Sequence, residues 1–126
     1  MEWDMFWFLR VTVFLCVFCT SVQAHAVTTI EQYQKEIHGD GPELSKEFTL
    51  VYIKGLLEGF EWMNIAIGAE GKMSPLFCTP PKLAITPIQA VDMLDRYLKD
   101  HKTKASDPIE IHLLYALKET FPCNPP

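Results

Sequence analysis

The chain has 126 residues, 48% of them hydrophobic, and a formal net charge of −5. That length suits one domain of ordinary size. The acidic balance argues against nucleic acid, which needs a basic face, and against docking on an anionic membrane.

The first residues differ from the rest. Val11 to Cys19 (VTVFLCVFC) carry no charge and no proline. They are too few to cross a bilayer, which takes about 20 apolar residues, and they suit the apolar core of a secretory signal. Val22-Gln23-Ala24 and Ala24-His25-Ala26 both fit small-x-small cleavage, so cutting is expected after Ala24 or Ala26. No lipobox precedes Cys16 or Cys19. Glu2 and Asp4 stand ahead of Arg10, the one basic residue there, and a start at Met5 would remove both acids. An uncleaved signal anchor is the alternative. The expected domains are a signal peptide over residues 1–24 and a helical domain over residues 27–126. The exported chain keeps 10 basic and 14 acidic residues.

The predicted class is all-α, a small domain of four to five helices with one disulfide. The first helix spans residues 29–38. Thr29 and Gln32 form a capping box, and Gly39 is a C-cap. The second spans residues 43–68, after Asp40-Gly41-Pro42, which supplies a capping acid and an early proline. Leu44, Phe48, Val51, Tyr52 and Leu56 make one apolar stripe. Leu50, Ile53, Leu57 and Phe60 make another. Such a helix is expected to be central. Gly55 and Gly59 each cost about 1 kcal/mol relative to alanine. Close approach of another backbone is the expected compensation, with a bend as the alternative. Trp62 and Met63 are expected in the core.

Residues 69–85 read as a loop because of Gly71, Pro75, Pro80 and Pro81. The third helix opens at Thr86-Pro87-Ile88-Gln89, with cap, proline and box residue in order. Ile88, Val91, Leu94 and Leu98 share one side, and Lys99, His101 and Lys102 sit at the negative end of its dipole. Asp107-Pro108-Ile109-Glu110 repeats the opening for a fourth helix. Ile109, Leu113, Ala116, Leu117 and Phe121 form its inner face, and Pro122 stops it. The short connection between the last two helices implies antiparallel packing.

Export leaves Cys78 and Cys123, which are expected to pair outside the cytoplasm. The loop so closed contributes on the order of 4 kcal/mol in the chain-entropy model. Zinc would need further ligands such as His101 or His112, and the spacing fits no zinc pattern. Catalysis by Cys78 would need a free thiolate beside a base. His25, His38, His101 and His112 read as ordinary surface or packing residues. Glu58 and Glu61 share a face and could be imagined as an acid–base pair, but with Lys54 they read as a solvated strip. No phosphate loop or nucleophile elbow is present. The residues favour binding over catalysis, and no cofactor is expected.

Gly55-x-x-x-Gly59, Phe77-Cys78-Thr79-Pro80, Thr86-x-x-Gln89, Tyr97-Leu98-x-x-His101, Ala116-Leu117 and Phe121-Pro122-Cys123 occur in that order. Over residues 51–123 this pattern resembles the type VI secretion amidase immunity proteins, the Tai/Rap immunity family. The resemblance implies a periplasmic, all-helical protein, often a homodimer, that blocks a peptidoglycan amidase and has no catalytic residue of its own. Lys102 departs from the proline common after the matching histidine, and the segment before Tyr52 carries little likeness. A plug needs an ordered protrusion. The candidates are the 99–107 connection, with Lys99, His101, Lys102 and Lys104, and the 70–77 loop, with Glu70, Lys72, Met73, Leu76 and Phe77. Competing functions are a periplasmic helical binding or chaperone-like module without a toxin partner, and an exported enzyme using Glu58, Glu61 or His112.

Overall fold

The computed structural model describes residues 28–71 and 73–123. The expected signal and its cleavage sites, the Met5 start, His25 and Lys72 lie outside the described residues.

The described residues form four helices: α1 (Ile30–His38), α2 (Glu43–Glu70), α3 (Pro87–Asp100) and α4 (Ile109–Thr120). Among the described residues there is no strand, and one isolated antiparallel bridge joins Thr29 to Pro108. The all-α expectation is met.

Of the four expected caps, one forms as read and one in part. The Thr29 side chain accepts from Gln32 N at 3.2 Å, although the Gln32 amide turns to Glu36 instead of closing the box. Thr86 and Gln89 complete theirs, with Pro87 in the first turn. The other two do not. Pro42 and Pro108 themselves occupy the cap positions of α2 and α4, with no side-chain cap. Asp107 instead accepts from Lys104 N at 2.9 Å and shapes the turn before α4. Glu110 reaches away from its own helix end, accepting from the Tyr52 hydroxyl and from Thr28 N.

The core gathers Ile30, Tyr33 and Ile37 of α1, Ile53 and Leu57 of α2, Val91, Met93 and Leu94 of α3, and Ile109, Leu113 and Leu117 of α4. Ile88 is exposed; Ala90 and Met93 take the expected place on the inner side of α3. α3 and α4 pack along each other. Gln89 and Phe121 line one cleft between them, and Tyr97 meets His112 further along, as an antiparallel pair requires.

α2 departs most from expectation. Its Leu50–Ile53–Leu57–Phe60 stripe packs inward, but Leu44, Phe48 and Val51 face solvent. Trp62 and Met63 are 71% and 46% exposed, so both belong to the surface and not to the core. The expected close approach at Gly55 and Gly59 is also absent among the described residues. A Cβ built on either glycine meets nothing within 4 Å. α2 is long enough to extend beyond what three short helices can cover.

The loop after α2 is fastened at two points. Asn64, on the inner side of α2, donates to Phe77 O and accepts from Leu76 N, both at 2.8 Å. Cys78 is disulfide-bonded to Cys123, with Cα atoms 4.7 Å apart, and its N–H donates to Phe121 O at 2.8 Å. The loop is thereby tied to the end of α4, as the cysteine count predicts.

Candidate functional site

The connection from α3 to α4 is exposed but not loose. Asp107 N donates to Lys104 O, and the Asp107 carboxylate answers with Lys104 N, closing a tight turn. The first turn of a helix leaves amides without internal partners. In α1 these are spent on the connection: Ile30 N donates to Asp107 O at 2.9 Å and Glu31 N to Ala105 O at 3.0 Å. In return Ile109 N donates to Thr28 O at 3.0 Å. Three backbone hydrogen bonds between residues 28–31 and residues 105–109 therefore fix the connection.

On this support stand Lys99, Lys102 and Lys104, all exposed. Among the described residues none of them pairs with a carboxylate within 4.0 Å. The negative end of the α3 dipole favours cations there. His101 ends α3. Its N–H donates to Tyr97 O at 3.1 Å, and its ring folds back to stack on Tyr97, centroids 4.0 Å apart. Its Nε2 lies 3.7 Å from Glu119. Burial pushes the Tyr97 hydroxyl above its ordinary pKa, helped by the charge of Glu119.

Beside this stack lies an open cleft of about 280 Å³ lined by Met93, Arg96, Tyr97, Asp100, His101 and Glu119, among others. Its walls carry both signs of charge. Such a lining suits a polar side chain or backbone segment of a partner better than an apolar ligand, which needs a mostly apolar wall. Among the described residues no group of three or more His, Cys, Asp or Glu side chains could hold a metal ion.

Beneath the connection, His112 is largely buried with Nε2 3.6 Å from Asp107. Among the described residues, His112 Nδ1 and Glu110 Oε2 are both enclosed without a hydrogen-bond partner. Glu58 pairs with Lys54 at 3.7 Å on the exposed side of α2.

The second expected surface divides. Met73 is exposed, whereas Phe77 is 3% exposed and packs in the core, so it is not available to a partner. The Asn64 clamp turns it inward. Glu70 ends α2. The 70–77 loop joins the far end of α4 through Cys78, while the 99–107 connection leads into the start of α4. The structure therefore does not bring the two candidate surfaces together. Sequence reasoning missed the ordering of the connection by α1, and the Tyr97–His101 stack was visible only as a four-residue spacing.

Among the described residues no helix is long and apolar enough to cross a membrane. Comparison with curated proteins and with solved structures gives no match. The family model for Rap1a immunity proteins matches residues 17–123. That span takes in α1 to α4, the disulfide and the basic connection, and so the chain belongs to the Rap1a immunity protein family.

Proposed function

We propose that the protein is exported to the periplasm, loses its signal peptide after Ala24 or Ala26, and binds a type VI-delivered peptidoglycan amidase so as to occlude its active site. In this reading it acts as a homodimer and supplies no catalytic group. Membership of an immunity family supports a toxin as partner. The observation that carries the choice of surface is the 99–107 connection, a cationic segment fixed in advance by hydrogen bonds from Ile30 and Glu31. A loop ordered before binding loses little conformational entropy on binding. Lys99, Lys102 and Lys104 then steer encounter with an acidic rim, and the neighbouring cleft receives a segment of the partner. Glu70 and Lys72 form a secondary candidate contact.

The neighbouring gene is expected to encode a secreted peptidoglycan amidase, and the test is inhibition of that enzyme's cell-wall hydrolysis. Wild-type protein is expected to abolish hydrolysis near stoichiometric ratio. Reversal of the three charges (K99E/K102E/K104E) is expected to weaken inhibition by about tenfold or more, mainly through association rate and with reduced salt dependence. An amidase that stays fully active in excess wild-type protein overturns the reading.

A further inference from the structure

α2 has an inner face that the fold covers and an outer face that it leaves bare. At 100° per residue, Leu44, Phe48, Val51, Gly55, Gly59 and Trp62 fall within a sector about 80° wide. All six are exposed, with Leu44 at 59%, Phe48 at 66% and Val51 at 67%. A contiguous apolar strip of this kind marks an interaction surface. The two glycines lie at its middle. Each destabilises a helix interior by about 1 kcal/mol relative to alanine, and among the described residues nothing approaches either one. α2 runs unbroken from Glu43 to Glu70, so they do not interrupt the helix either.

We propose that this outer face is the seam of the homodimer, two α2 helices packed antiparallel about a twofold axis near residue 57. This deepens the homodimeric element of the functional reading and does not depend on the identity of the toxin. An isologous interface must be complementary to itself, and the strip meets that requirement. Positions equally distant from 57 face each other, so Gly55 lies against the partner's Gly59, and the helices can approach at the near end of the usual 8–10 Å. Phe48 lies over the partner's Ala66, large against small.

The charges select the direction. Lys54, Glu58 and Glu61 run along one edge of the strip. An antiparallel twofold brings that edge against its own copy, with Lys54 beside the partner's Glu61 and Glu61 beside the partner's Lys54. Parallel packing would instead set the charged edge against the Tyr52–Leu56–Met63 edge, leaving Lys54 with Glu58 of its own chain and Glu61 without a cation across the seam.

Sedimentation equilibrium of the mature, oxidised protein reads this directly. The wild type is expected to be a dimer at micromolar concentration. G55L/G59L is expected to be a monomer of unchanged helicity, because the new side chains enter open space in a single copy. K54E is expected to weaken dimerisation by about tenfold, and K54E/E61K to restore it. Residues 54 and 61 are about 10.5 Å apart along one helix, so rescue reports contact between copies. A wild type that stays monomeric at about 100 μM, a dimer indifferent to G55L/G59L, or a charge swap without rescue each overturns the proposal. Mass is the readout throughout, so a failure of amidase inhibition is a separate result.

Discussion

Tyr33 on α1 donates its hydroxyl to the carboxylate of Asp95 on α3 across 2.7 Å, and the other oxygen of Asp95 lies 2.9 Å from His38 Nε2. Tyr33 is fully buried, so its hydroxyl has no access to water as an alternative partner. Tyr33→Phe keeps the ring and removes the bond. The expected cost is about 1.5 kcal/mol, the low end for a hydrogen bond to a charged group, since Asp95 keeps His38 and solvent. Urea unfolding with an unchanged slope and a lower midpoint is the expected result.

The second tyrosine pairing sets a limit at alkaline pH. Burial, and then the bond to Glu110 and its charge, push Tyr52 up to about 12. An unfolded tyrosine ionises near pH 10. Between about pH 10 and 12 the unfolded state has lost this proton and the folded state retains it, so stability falls as pH rises. The stabilisation is fully present below pH 10. Tyr52→Phe is expected to flatten the loss over that window, read as urea midpoints at pH 9, 10 and 11.

Asn64 satisfies two backbone groups of the loop at once, Leu76 N and Phe77 O. Asn64→Leu leaves both without that partner. A loss of about 1–3 kcal/mol is expected, with faster hydrogen exchange at the Leu76 amide and little change at the α1 amides that hold the connection.

Lys82 follows Pro81 in a turn closed by Leu83 N donating to Pro80 O at 3.1 Å. Its φ of 68° lies in the left-handed region, which glycine adopts without steric cost. Lys82→Gly is therefore expected to stabilise the protein by about 1 kcal/mol, raising the thermal midpoint by a few degrees.

Much of the framework was legible because it depends on neighbours in sequence. Thr29 and Thr86 announce helix starts by groups three residues on, and Cys78 and Cys123 are the two thiols that the expected export would leave. Asp40 and Asp107 misled because the proline that follows occupies the cap position and leaves the acid too early, Asp107 by one residue and Asp40 by two. Trp62 and Met63 misled for another reason. Periodicity shows that a face is apolar, but not whether the chain itself has enough mass to cover it. At the site, the lysines were legible as charge. Their support was not, because it comes from amides of Ile30 and Glu31, far away in sequence and without any residue signature.

The Cys78–Cys123 bond makes residues 78 to 123 a covalent ring that contains α3, the basic connection and α4. A protease that nicks the connection anywhere between Lys99 and Asp107 opens that ring into a line without releasing a fragment. The cut halves migrate as one species until a reductant is added. A chain nicked there thus survives a single scission with its pieces still joined, and α1 still grips one of the severed ends.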